Sequence, residues 1–160
     1  MKENNAKDIC HIYNSILPSK ITERKKIIKK LIKEIGNNYL IESPFYCDYG
    51  YNIKIGDNFN AKYGLIILDE AKINFGDNIF IGPNCEFYAE KEINIGNNVY
   101  FRGKNVVLPG VTIGNNTIIE VGSIVTKNIP DNCIVSGNPA KIIKKIENNK
   151  INNYFEISKI

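Results

Sequence analysis

The stretch from residue 95 to residue 125 reads IGNNVYFRGKNVVLPGVTIGNNTIIEVGSIV, and an aliphatic or aromatic residue returns at every sixth position: Ile95, Phe101, Val107, Ile113, Ile119 and Val125. Working outward toward the N-terminus, the same count passes through Phe75, Ile81 and Phe87, and before them through Ile55, a weaker Ala61, and Ile67. Between Ile67 and Phe75, and between Phe87 and Ile95, the step is eight, so those coils carry two extra residues each. Several of these apolar positions precede a glycine and then Asp-Asn, Pro-Asn or Asn-Asn, as in Gly56-Asp57-Asn58, Gly76-Asp77-Asn78, Gly82-Pro83-Asn84, Gly96-Asn97-Asn98 and Gly114-Asn115-Asn116. A short strand, a tight corner and another short strand form the unit of a parallel β-helix. Asparagine and glycine suit the corners because they accept positive φ at small steric cost. The fold class is therefore mainly β.

The 160 residues fit one domain with terminal elements appended. No apolar run approaches membrane-spanning length, and the opening Met1-Lys2-Glu3-Asn4-Asn5-Ala6-Lys7 is no signal peptide. The four cysteines, Cys10, Cys47, Cys85 and Cys133, form no Cys-x-x-Cys pair. Reduced thiols and a cytoplasmic location are the expectation, and Cys85 falls at an inward-facing position of its hexad. The net charge of +4 is mild, and the basic clusters at 24–33 and 141–150 lack interleaved aromatics. They read as solvated helix faces rather than as a nucleic-acid surface. No membrane association is expected either. With a single histidine and no His/Cys cluster, no metal site is expected.

Three segments follow: a helical segment at 1–40, the β-helix at 41–137, and a C-terminal helix and tail at 138–160. In the first, Pro18-Ser19 separates two helices. The second carries the apolar stripe Ile27, Ile28, Leu31, Ile32, Ile35 and ends at Gly36. In the last, Asn138-Pro139-Ala140 turns into a basic helix from Lys141 to about Asn148. Tyr63, Tyr88 and Tyr100 are candidate rim or interface aromatics.

The run from Ile41 through Pro44-Phe45-Tyr46-Cys47-Asp48-Tyr49-Gly50 to Gly56 resembles the maltose and galactoside O-acetyltransferases among the hexapeptide-repeat acyltransferases. So do Val107-Leu108-Pro109-Gly110-Val111-Thr112-Ile113-Gly114, Gly122-Ser123-Ile124-Val125-Thr126-Lys127-Asn128-Ile129-Pro130 and Ser136-Gly137-Asn138-Pro139-Ala140-Lys141. The likeness covers most of residues 11–146. It implies a left-handed β-helix, a homotrimer, and acetyl-CoA as co-substrate lying in a groove between two subunits. Thr126 and Lys127 match coenzyme-contacting positions. Lys141 and Lys144 stand where relatives place basic residues near the phosphates, which ammonium groups attract as point charges. Val121 replaces a small residue on the pantetheine path, and Gly103 lies in Arg102-Gly103-Lys104, where relatives carry a Gly-rich turn.

On the acceptor side the resemblance assigns Asp48, Lys62 (at a family asparagine) and the acidic pair Asp69-Glu70. It also exposes a loss. In the resembled enzymes a long loop after the Pro83-Asn84 coil carries the histidine that acts as general base. Here Phe87-Tyr88-Ala89-Glu90-Lys91-Glu92 runs straight into Ile93-Asn94-Ile95. An imidazole base contributes about 10²–10⁴-fold to deprotonating a sugar hydroxyl. His11, in the N-terminal helices, is the one histidine left. Asp69, Glu70 or Glu90 would need a pKa raised by burial to replace it. A neutral amine needs no prior deprotonation. Two readings follow: an acetyltransferase with an altered acceptor site for a sugar or amine, or a non-catalytic CoA-binding or scaffold trimer on the same fold. Zinc enzymes of this scaffold need three histidine ligands and are excluded.

Overall fold

In the computed structural model, which describes residues 3–147 and Ile151, the hexads wind into a left-handed parallel β-helix of about five turns. The described residues form α1 (Glu3–Ser15), α2 (Ile21–Leu31) and seventeen short strands, β1 to β17 in chain order. One flat face stacks β1 (Glu34–Ile35), β4 (Ile53–Ile55), β7 (Ile73–Phe75), β10 (Ile93–Ile95) and β13 (Thr112–Ile113). The second face stacks β2 (Tyr39–Ile41), β5 (Phe59–Ala61), β8 (Ile79–Ile81), β11 (Val99–Phe101), β14 (Thr117–Ile119) and β16 (Cys133–Ser136), with β17 (Lys141–Lys145) at its edge. The third stacks β3 (Phe45–Cys47), β6 (Leu65–Leu68), β9 (Glu86–Tyr88), β12 (Val106–Val107) and β15 (Ile124–Val125).

Every pairing but the last is parallel and in register with the hexads: Ile55 faces Phe75, Ala61 faces Ile81, and Ile67 faces Phe87. The inward residues fill the prism. Phe59, Phe75, Phe87 and Phe101 climb through it edge to face, with ring centroids 5.3, 5.2 and 5.2 Å apart, the geometry that aromatic quadrupoles favour. Cys85 is in this core, as its hexad position indicates.

The corner between the first and second faces is the most regular part of the molecule. Asn38, Asn58, Asn78, Asn98, Asn116 and Asn132 all have φ between 54° and 58°. Each of the first five donates its side-chain amide to the asparagine one coil on, at 2.8–3.0 Å. One residue earlier, the Oδ1 atoms of Asp57, Asp77, Asn97, Asn115 and Asp131 accept the backbone N–H of the preceding coil at 2.7–2.8 Å.

Two expectations change. Gly36 does not end a helix: α2 stops at Leu31, and Ile32 is extended at φ −110°, ψ 102°. Gly36-Asn37-Asn38 is the first corner of the ladder, so residues 34–40, read with the helical segment, are strand and corner. Nor is Lys141–Lys145 helical. It is a strand antiparallel to β16, and it satisfies backbone groups that the last coil would otherwise leave open. The remainder of the expected C-terminal helix and tail lies outside the described residues, apart from Ile151. Ile146 and Ile151 pack with Ile118, Ile134 and Tyr100, so Tyr100 is buried rather than a rim aromatic; Tyr63 is exposed, and Tyr88 donates to Glu86.

The ladder leaves no room for a side chain at the corner glycines. A Cβ on Gly76 would press on Asn97 Oδ1 and come within 2.7 Å of the Gly96 carbonyl oxygen. Gly76→Ala is therefore expected to lower unfolding stability by about 1–3 kcal/mol, measured by urea denaturation.

Candidate functional site

The helices place the first wall of the site. Ala6, Cys10 and Tyr13 of α1 and Ile28 and Leu31 of α2 join the core over the first coil. Buried Arg24 donates to Tyr13 Oη at 3.1 Å and to the Ile41 carbonyl at 3.0 Å, and the Tyr13 hydroxyl donates to that same carbonyl. Arg24 also lies over the Tyr13 ring, 4.8 Å from its centroid. Asn14 meets β3 reciprocally: its Nδ2 donates to the Phe45 carbonyl at 3.0 Å, and its Oδ1 accepts the Phe45 N–H at 2.8 Å. These bonds occupy the open edge of the third face and fix α1 beside it.

Between α1 and the third face lies an open cavity of about 430 Å³, lined by Lys7, Cys10, His11 and Asn14 from the helix and by Tyr46, Cys47, Asp48 and Leu68 from the coils. It brings together Asp48 and the single histidine, a conjunction the sequence did not reveal. Cys10 and Cys47 meet there as well, with sulfurs 3.8 Å apart.

The other acceptor candidates are placed differently. Asp69 is wholly buried, and its carboxylate accepts the backbone N–H groups of Asp48, Tyr49 and Gly50 at 3.1, 2.9 and 2.8 Å. Three consecutive N–H groups converging on an anion form a nest. Burial pushes the Asp69 pKa above the usual carboxylate range, against the pull of those N–H groups. The carboxylate thus shapes the backbone that presents Asp48. Glu70 is the exposed member of the pair. Lys62 is held by Glu42 of the preceding coil, with Nζ 3.0 Å from Oε1, and does not line the Asp48 cavity.

The coenzyme candidates lie on the fourth and fifth coils and on β17. Gly103 and Val121 share the corner between the second and third faces, where the Gly122 N–H donates to the Gly103 carbonyl at 3.0 Å. Gly103 has φ +130°, and Val121 is 63% exposed. Thr126 and Lys127 are exposed just after β15, and Lys141 and Lys144 lie on β17. None of the six lines the Asp48 cavity. Among the described residues no group of three or more His, Cys, Asp or Glu side chains is arranged to hold a metal ion, and no helix is long and apolar enough to cross a membrane.

Galactoside O-acetyltransferase of Escherichia coli (strain K12) is 36% identical over an alignment 176 positions long, gaps included, which takes in 99% of this chain and 86% of that one. The solved maltose O-acetyltransferase from Clostridium difficile 630 superposes with a TM-score of 0.90 at 36% identity, covering 91% of this chain and 87% of its own. A galactoside acetyltransferase in complex with coenzyme A superposes at 0.87 with 37% identity, covering 91% and 80%. No family model matches the chain.

The two acidic neighbours separate by experiment. Asp69→Ala strands three backbone donors and is expected to cost about 2–4 kcal/mol of stability. Glu70→Ala, at an exposed position, is expected to stay within about 0.5 kcal/mol of wild type. Chemical denaturation of both variants checks the difference.

Proposed function

Because the chain belongs to the maltose/galactoside O-acetyltransferase family of acetyltransferases, we propose that it transfers the acetyl group of acetyl-CoA to the amino group of a small sugar-like acceptor seated beside Asp48. The observation that carries the choice of an amine is the passage from β9 to β10, which spans only residues 89–92. The resembled enzymes carry their base-bearing loop at this point. A neutral amine attacks the thioester carbonyl through its own lone pair, the tetrahedral intermediate collapses with loss of CoA thiolate, and the ammonium proton passes to water or a carboxylate. Asp48 and exposed Glu70 are the acidic groups assigned to hold the acceptor. His11 shares the cavity with Asp48 and contacts the acceptor rather than replacing the family base. Lys62, spent on Glu42, steadies the corner next to the site.

The working unit is a homotrimer in the cytoplasm, with the coenzyme in a groove between two protomers. In support, Gly103 and Val121 stand on one edge of the prism and Thr126 and Lys127 on another, so one chain alone encloses no coenzyme. Lys127, Lys141 and Lys144 supply the positive charge for its phosphates. A non-catalytic scaffold would share the short passage from β9 to β10 and would bind CoA without turnover.

Turnover of acetyl-CoA with galactosides, maltose and the corresponding amino sugars tests the proposal. Amino sugars are expected to react at least tenfold faster than their hydroxyl counterparts. Asp48→Asn is expected to raise the acceptor KM, and Lys127→Ala the acetyl-CoA KM, each several-fold. Equal rates for sugar and amino sugar would refute the amine assignment. No heat of binding with millimolar CoA by calorimetry would refute the coenzyme.

A further inference from the structure

The acceptor chemistry makes no use of the two thiols at the base of the cavity. Cys10 sits on α1 and Cys47 at the end of β3, separated by 37 positions in sequence, with sulfurs 3.8 Å apart and both side chains buried. Buried cysteines are ordinarily inert. These two differ in facing each other across the joint between two elements and in lining an open cavity of about 430 Å³, ample for a small oxidant. The remaining cysteines have other partners: Cys85 Sγ is 3.7 Å from Asn105 Oδ1, and Cys133 Sγ is 3.2 Å from the Pro130 carbonyl.

We propose that Cys10 and Cys47 form a redox-active dithiol, which hydrogen peroxide converts to an intramolecular disulfide that ties α1 to β3. The thiolate of one of the pair attacks a peroxide oxygen, giving the sulfenic acid and releasing the other oxygen as hydroxide. The sulfur of the other then attacks the sulfenic sulfur, a disulfide bond forms, and water leaves. Two thiols lose two electrons to one peroxide, which ends as two waters. The hydrogen bond between the sulfurs, in which either thiol can donate, lets one sulfur ionise at the expense of the other, while the charge of Asp69 opposes ionisation of both. Burial pushes Cys85 to about 11, which leaves it a poor competitor. The bond closes a wall of the cavity, since α1 carries Lys7, His11 and Asn14 on the same side. Its effect on turnover rests on the acceptor assignment above.

The test is mass spectrometry of reduced, folded protein treated with hydrogen peroxide, then alkylated under denaturing conditions. The expected product is about 2 Da lighter before alkylation. Only two of the four cysteines should then be alkylated, with a peptide cross-linking Cys10 to Cys47. Cys10→Ser and Cys47→Ser should each abolish the cross-link, and Cys85→Ala should not. Four alkylated cysteines in wild type, sulfinic acid at Cys10 or Cys47 without a cross-link, or a cross-link through Cys85 would overturn the proposal. The wild-type measurement decides even if a variant fails to fold. A cross-link that forms but leaves acceptor KM unchanged would overturn the placement of the acceptor, not the dithiol.

Discussion

The structure depends on one repeated hydrogen bond at one corner. An asparagine held at positive φ turns the chain, and its amide then finds its counterpart one coil away. Each rung contributes only about 0.5–1.5 kcal/mol net, but the bond also fixes register. Slipping a coil by one residue would break the ladder and turn every hydrophobic side chain to the wrong face. The phenylalanine stack inside the prism and the ladder outside it therefore specify the same alignment. That agreement between local and global preference is what makes a parallel array of strands this short foldable.

A stack of coils has two open ends, and this chain closes them by different means. At the start, Arg24, Tyr13 and Asn14 bring helical side chains onto the Ile41 and Phe45 backbone, replacing the neighbouring strand that the first coil lacks. At the finish, β17 folds back antiparallel onto β16. The first device has a functional result, because the polar bonds that seat α1 also bring His11 beside Asp48. Asp69 works from beneath, holding three N–H groups so that the Asp48 backbone is presented at one angle.

The repeat was legible in the sequence because a period of six with corner glycines has few other physical explanations. Its start was legible too. Gly36-Asn37-Asn38 has the same composition as Gly96-Asn97-Asn98, but the isoleucines before it lie at helical spacing and hid it. Lys141–Lys145 deceived for a related reason: a short run of lysine and isoleucine suits either element, and the free edge of β16 decides. The site was legible only in part. Asp69 and Glu70 are adjacent in sequence and opposite in burial, a difference set by a corner twenty positions earlier. The Lys62–Glu42 pair and the Cys10–Cys47 contact join residues far apart in the chain, and no local pattern announces them.

All the variation in coil length falls at a single corner, where the third face returns to the first. The step there is eight residues from Cys47 to Ile55, from Ile67 to Phe75 and from Phe87 to Ile95, six from Val107 to Ile113, and four from Val125 to Ile129. The asparagine corner never varies. Lengthening a loop at the variable edge costs little, about 0.6 kcal/mol per doubling, and disturbs no rung. The scaffold thus divides into an invariant hinge-post and an exchangeable margin. Catalytic appendages can be gained or shed at that margin over evolutionary time without the frame having to be reinvented.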